Sequence, residues 1–216
     1  PKLTPDGCDF ISGSGATAVF IIESGIPKGL RFANVFSVGN SAQTGVEDIL
    51  AYLDETYEDG ISPKVKLLYI ENIDNPDKLL EHASSLINKG CKIAAIKAGS
   101  SSAGSRAASS HTGALTSSDA AVEALFRKAG IVRCYGREEL TTVACVFMCK
   151  ELVGRKLAIV AHAGGPGVML TDALEAGGLK IPQIKDSPVK TALKEKLFPG
   201  SSVENPIDFL ATGTAE

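Results

Sequence analysis

Two short turns in this sequence have the residues to meet an anion. Ser12-Gly13-Ser14-Gly15 closes the apolar run Cys8–Ser12, and Ala163-Gly164-Gly165-Pro166-Gly167 follows the run Lys156–Ala161. In both, a strand-like segment passes through glycines into a helical pattern. The first helical turn then carries unpaired N–H groups and the positive end of the helix dipole. The candidate phosphate ligands are therefore Ser12, Gly13, Ser14 and Gly15 in one turn and Gly164, Gly165 and Gly167 in the other. Glycine at such a place also serves simply to pack a helix closely on a strand, so one turn alone says little; two together favour phosphate chemistry. The first turn also fits Gly13-x-Gly15-x-x-Ala18, the opening of a dinucleotide fingerprint. That fingerprint needs an acid roughly 20 positions on, at the end of the next strand. The next strand ends in Val38-Gly39-Asn40 and no acid follows until Glu47, so the nicotinamide reading lacks its second half.

A third feature offers a nucleophile. Ala98–Ser110 holds only Ala, Gly and Ser apart from Arg106, and it leads into Ser110-His111-Thr112-Gly113-Ala114. The composition predicts a long flexible loop, which inside a compact domain is usually functional. A neutral imidazole can attack phosphorus when an anion orients its other ring nitrogen. Glu71, just beyond the run Val65–Ile70, lies at the same carboxyl edge as the glycine turns and is the candidate partner of His111. The plainer alternatives are a linker with an incidental histidine, and a Glu71 that caps the helix beginning near Pro76. His82 is expected on the solvated face of that helix, and His162 in a structural place before the second turn.

The elements that must hold these residues alternate regularly. Strands are predicted at Cys8–Ser12, Ala33–Val38, Val65–Ile70, Lys92–Lys97, Ile131–Cys134 and Lys156–Ala161. Helices are predicted at Ala16–Ser24, Val46–Thr56, Pro76–Asn88, Ser118–Ala129, Glu138–Val153, Gly167–Ala176 and Val189–Lys196. Ser118 or Asp119 is a plausible N-cap, and Gly130 and Gly177 plausible C-caps. Continuous apolar strands alternating with helices imply an α/β fold, a doubly wound parallel sheet covered on both faces. The pattern restarts at Gly154-Arg155-Lys156. Residues 1–153 thus read as one complete domain and 154–216 as the incomplete start of a second.

Composition narrows the class. The chain has 216 residues, 44% of them apolar, and 22 Lys and Arg against 25 Asp and Glu for a net charge of −3. It can bury a core, and it shows no basic surface to recruit nucleic acid. The apolar run Val143–Cys149 is far short of the roughly 20 residues that cross a bilayer. No signal peptide is visible, and a first residue of Pro1 rather than Met leaves room for an upstream piece. The 5 cysteines are odd in number and form no CxxC pair, which fits reduced thiols in the cytoplasm. Cys145 and Cys149 stand i,i+4 with no His or acid beside them, so core packing is expected there rather than a metal. Glycine is the excess, 22 residues.

Taken together, these residues resemble the nucleoside-diphosphate-forming acyl-CoA synthetases, relatives of succinyl-CoA synthetase. The resemblance rests on Ile11-Ser12-Gly13-Ser14-Gly15-Ala16, Val38-Gly39-Asn40 with Asp48-Ile49-Leu50, Tyr69-Ile70-Glu71 and Lys97-Ala98-Gly99. It continues through Ser110-His111-Thr112-Gly113-Ala114, Ala163-Gly164-Gly165-Pro166-Gly167 and Asn205-Pro206-Ile207-Asp208. It spans nearly the whole chain in the family's order. It implies a flavodoxin-like fold and a reversible reaction in which acyl-CoA, phosphate and ADP or GDP give free acid, CoA and the triphosphate. An acyl phosphate forms first, and a histidine then carries the phosphoryl group. By position His111 is that histidine and Glu71 its acidic partner, with the two glycine turns holding phosphate from either side. The histidine segment would swing to a distant nucleotide site.

The resemblance also implies partners. CoA, an acyl group and phosphate are substrates, and Mg-nucleotide belongs to an ATP-grasp domain. That domain and the CoA-binding domain lie on the same or a partner chain, in an assembly expected to be oligomeric. An isolated fragment of this kind would be inactive. A different class, a non-catalytic regulatory module of the sort fused to acetyltransferases, would be favoured by loss of the histidine, and His111 is present.

Overall fold

The computed structural model describes residues 2–39, 41, 43–112 and 118–213, with the side chains of residues 108–112 excepted. In chain order the first 150 residues run β1 (Cys8–Ser12), α1 (Gly15–Gly25), β2 (Phe32–Ser37), α2 (Val46–Glu55), β3 (Val65–Ile70) and α3 (Pro76–Asn88). They continue through β4 (Lys92–Lys97), α4 (Ser102–Thr112), α5 (Asp119–Ala129), β5 (Val132–Cys134) and α6 (Arg137–Met148). Among the described residues the five strands pair in parallel in the order β2-β1-β3-β4-β5. This is the flavodoxin-like order.

Both faces of the sheet are covered, which is why its strands are apolar throughout rather than alternating. On one face α1 and α6 set Ile21, Ile22, Leu140 and Ala144 against Phe10, Phe32 and Leu67. On the other α2, α3 and α5 set Leu50, Leu79 and Phe126 against Ile11, Leu68 and Ile93. A buried ion pair lies inside the sheet. Lys66 on β3 and Asp9 on β1 are both fully buried and joined at 2.5 Å. Pro63 O takes a second Lys66 proton at 2.6 Å, and Asn34 donates to the other Asp9 oxygen at 2.7 Å. The pair is neutralised and hydrogen-bonded, as a buried charge must be.

The chain divides into two compact units, Pro1–Lys150 and Glu151–Glu216. The second holds β6 (Val160–Ala161), α7 (Gly164–Ala176), α8 (Pro188–Lys196) and β7 (Ile207–Asp208), with β6 and β7 parallel. The strand expected over Lys156–Ala161 pairs with β7 at its last two residues and makes a single bridge, Lys156 to Lys180, at its first. Upstream, the Asn205 side chain accepts from Ile159 N at 2.9 Å and donates to Leu157 O at 2.8 Å, taking groups that a neighbouring strand would otherwise pair.

Three other expectations are corrected. The helix predicted over Glu138–Val153 stops at Met148, because the residues beyond have no surface to cover: Leu152 and Val153 are 67% and 99% exposed. The predicted loop Ala98–Ser110 is helical from Ser102. Ser101 caps it, its hydroxyl accepting from Gly104 N at 3.0 Å and its carbonyl from Ser105 N at 2.7 Å. Ala, Ser and Arg are adequate helix formers and no proline interrupts them, so one cap suffices to start a turn. At the end of α7 the left-handed residue is Gly178 rather than Gly177.

Candidate active site

In a sheet ordered 2-1-3-4-5, the connection from β1 goes one way and β3 lies on the other side. The crevice opens between the carboxyl ends of β1 and β3. The Ser12–Gly15 turn and Glu71 are the residues that emerge there. Ser12 pairs in register with Tyr69, and Gly13 N donates to Tyr69 O at 2.8 Å, carrying the ladder one residue past the end of β1. Ala98 N donates to Ile70 O at 2.9 Å on the other side. Glu71 is thus gripped from both neighbouring strands. A Cβ built on Gly13 would lie 3.4 Å from Glu71 N and 3.5 Å from Glu71 Cγ, so the side chain of Glu71 rests directly against the glycine turn. Among the described residues its carboxylate makes no hydrogen bond or ion pair.

The turn itself sorts the expected phosphate ligands into two groups. Buried Ser12 donates its hydroxyl to Ser14 O at 2.8 Å and its oxygen accepts from Ser14 N at 3.2 Å. Ser14 is the N-cap of α1, its hydroxyl accepting from Thr17 N at 3.3 Å, an arrangement worth about 1 kcal/mol. Gly13 N is spent on Tyr69 O. The amides of Gly15 and Ala16 keep no protein acceptor among the described residues. Ser12, Gly13 and Ser14 therefore shape the turn, while Gly15 and Ala16 present donors; Ala16 was not singled out from the sequence, though its place as the second helical residue marks it. In the second unit α7 begins at Gly164, three residues before the predicted start. Gly167 N is 3.4 Å from Ala163 O and Pro166 has no N–H, which leaves Gly164 and Gly165 as donors. Gly167 packs on Pro206 instead, at 3.4 Å from a built Cβ.

Tyr69 ties the turn to the sheet. Its phenol is pushed up by burial, an effect opposed by a hydrogen bond with Thr17 and reinforced by the charge of Glu71. Lys97, paired in register with Ile70, is the nearby cation that composition could not reveal. It is 6% exposed, and its ammonium donates to Ala98 O at 2.7 Å. Burial pulls its pKa down, partly countered by Asp119, while Arg133 adds to the depression and Glu71 opposes it. A buried lysine at a strand end is the kind of group that active sites retain.

The backbone of His111 lies in the last turn of α4, but its imidazole is outside the described residues, as are Gly113 and Ala114. Glu71 does not cap α3. Asn75 does, its side chain accepting from Lys78 N at 3.0 Å. His82 is not solvated: its Nδ1 lies 2.9 Å from Asp54 Oδ2 with only 15% of the side chain exposed. His162 packs against Phe209 in a tilted arrangement, 4.5 Å between ring centres. Cys8, Cys91 and Cys134 are buried, whereas Cys149 caps the end of α6 and is exposed. Among the described residues no cluster of His, Cys, Asp and Glu could hold a metal, and no helix is long and apolar enough to cross a membrane.

Known proteins share this fold. The family model described as "Succinyl-CoA ligase like flavodoxin domain" matches residues 5–147, and the chain belongs to that family. It is 36% identical over 207 residues to the acetate–CoA ligase [ADP-forming] II subunit alpha of Pyrococcus furiosus, covering 96% of this chain and 44% of that one. It is 31% identical over 213 residues to the 4-hydroxybutyrate–CoA ligase [ADP-forming] of Nitrosopumilus maritimus, covering 97% of this chain and 30% of that one. A dinucleotide-forming acetyl-coenzyme A synthetase 1 from Ca. Korarchaeum cryptofilum, solved in complex with phosphate and ADP, superposes with a TM-score of 0.79 at 27% identity. That match covers 99% of this chain and 45% of the other. The chain thus spans less than half the length of these relatives.

Proposed function

We propose that this chain is the part of an ADP-forming acyl-CoA synthetase that makes and receives the phosphoryl group. The observation that carries the reading is Glu71 resting against Gly13, in the turn where the amides of Gly15 and Ala16 are free for an oxyanion. In the forward direction a phosphate oxygen attacks the thioester carbonyl of acyl-CoA and CoA leaves as the thiol, giving an acyl phosphate. A nitrogen of His111 then attacks phosphorus and the free acid departs. Finally the phosphoryl group passes from His111 to a terminal oxygen of ADP, giving ATP.

Each step moves charge onto phosphate oxygens, and fixed backbone dipoles stabilise such charge without reorganising. Gly15 and Ala16 supply them at α1, and Gly164 and Gly165 have the same chemistry at α7. Glu71 accepts a hydrogen bond from the N–H of the second imidazole nitrogen, which sets the tautomer and stabilises the cationic phosphohistidine. Residues 154–216 are read as the opening of a further flavodoxin-like domain. CoA and Mg-nucleotide are assigned to CoA-binding and ATP-grasp domains outside these 216 residues, in a cytoplasmic assembly, and the isolated chain is expected not to turn over.

The test is full-length protein given acyl-CoA and labelled phosphate. Acid-labile label on the enzyme is expected, lost in His111→Ala and strongly reduced in Glu71→Gln. Label that persists in His111→Ala would refute the assignment.

A further inference from the structure

Glu47 stands outside the chemistry described so far, yet it is among the most deeply held carboxylates in the first unit. It occupies the first turn of α2, is 3% exposed, and does not cap its own helix. That role belongs to Asp48, which accepts from Gly45 N at 2.7 Å and is bound by Lys78 at 2.6 Å. Glu47 reaches instead across to the segment that follows β3. Its Oε1 accepts from Asp74 N at 2.9 Å and from Asn75 N at 2.8 Å. The N-cap of its own helix makes room for this. A Cβ on Gly45 would come within 2.7 Å of Glu47 Oε2 and 2.9 Å of its carboxyl carbon, so only glycine lets the carboxylate lie where it does.

The segment so held begins at Glu71. Upstream, Glu71 is fixed by the sheet, through Tyr69 O and Ile70 O. Downstream, the backbone must cross Asn72 and Ile73 before it reaches a regular element at the Asn75 cap. Irregular backbone at a strand end is where a side chain's position is least determined. Two charge-assisted bonds to one buried oxygen remove that freedom, and such bonds are roughly twice as strong as neutral ones. The geometry points to Glu47 as the positioning residue for Glu71: it anchors the β3–α3 connection so that the Glu71 side chain is held against Gly13. This inference rests on the proposed role of Glu71 in phosphorylation of His111.

A purely structural brace between α2 and α3 would lower stability and nothing more, so the test reads coupling. Four full-length proteins are compared by rapid quench with acyl-CoA and labelled phosphate: native, Glu47→Ala, Glu71→Gln and the double variant. Glu47→Ala is expected to slow phosphoenzyme formation at saturating phosphate by a factor of ten to about a hundred, the scale of a displacement near 1 Å. In the Glu71→Gln background the same change should have less than a twofold effect, because the group it positions is already gone. Glu47→Gln, which keeps an acceptor oxygen, should restore most of the rate. Gly45→Ala offers a second route, since its methyl dislodges the carboxylate while leaving Glu47 in place, and it should slow the same step. If Glu47→Ala fails to fold, Gly45→Ala carries the comparison in both backgrounds. Equal losses with and without Glu71, or native rates in both variants, would overturn the inference. Absence of label in the native protein would instead sink the proposed function beneath it.

Discussion

Gly13 offers a graded steric test of the juxtaposition on which the site depends. Its backbone is outside the left-handed region, so a side chain is conformationally allowed there, and what limits it is space. The Cβ of Gly13→Ala would lie 3.4 Å from Glu71 N, 3.5 Å from Glu71 Cγ and 3.5 Å from Tyr69 O, each an ordinary van der Waals contact. Alanine should therefore be accommodated, with phosphoenzyme formation within about threefold of native. Gly13→Val adds two methyls to a Cβ already in contact on that side. The atoms most able to yield are those of the Glu71 side chain, which makes no hydrogen bond or ion pair among the described residues. A displacement of about 1 Å from a reacting centre costs on the order of 100-fold, roughly 2.7 kcal/mol in the barrier. The assay is rapid quench of the full-length protein with acyl-CoA and labelled phosphate, with thermal unfolding alongside. A steep Ala-to-Val drop is expected at nearly unchanged phosphate KM, since the Gly13 amide is bonded to Tyr69 O rather than offered to phosphate. If alanine is as damaging as valine, the requirement is for the glycine backbone and not for the space Glu71 uses. If valine is harmless, Glu71 is not the partner the geometry makes it.

Three further outcomes test other parts of the fold. Lys66→Met strands the Asp9 carboxylate in the sheet and should cost about 3–5 kcal/mol, whereas Asp9→Leu/Lys66→Met should recover most of it; hydrogen exchange of β1 and β3 amides in the full-length protein reads both, and a single variant as protected as native would contradict the account. Burial pushes the Asp54 carboxyl up, but hydrogen bonds from Lys89, His82 and Ser85 outweigh it and hold the pKa below the usual aspartate range. Its stabilising contribution is then present at neutral pH and drains away as pH falls below about 4 through the depressed value, so amide exchange in α2 and α3 should quicken there, and Asp54→Asn should flatten that slope. Burial pushes the Cys8 and Cys134 thiols up to about 12 and raises that of Cys91, while Cys149 is exposed. Maleimide at pH 8 followed by peptide mapping should find Cys149 labelled first; equal labelling of Cys8 in folded protein would refute the burial.

The sheet was legible because its physics is local. Runs such as Val65–Ile70 and Lys92–Lys97 are apolar and bounded by turns, and α3 announces itself with Asn75 as cap and Pro76 in the first turn. That the strands run parallel follows from alternation alone, and their order does not. What the pattern hid is of a different kind. Ala98–Ser110 has no apolar periodicity to show a helix, so Ser101 as its cap passes for one more small residue. Val143–Cys149 shows no stop signal, and only the lack of a surface beneath Leu152 and Val153 ends α6. Within the site, Glu71 and the glycine turns stand out by residue type and position at strand ends. Which amides of the turn are free does not, because that depends on Tyr69 O and the Ser12 hydroxyl taking two of them. Lys97 and Glu47 were invisible as site residues for the same reason. One is a lysine whose burial only the packed sheet reveals, and the other an acid whose partners lie 27 and 28 residues downstream.

The most direct test of the central claim isolates the labelled phosphoenzyme of the full-length protein, freed of acyl-CoA and phosphate, and adds Mg-ADP. Label should leave the enzyme and appear as ATP, with peptide mapping before the chase placing it on a nitrogen of His111. Label that maps to another residue, or that is released only as inorganic phosphate, would contradict the account.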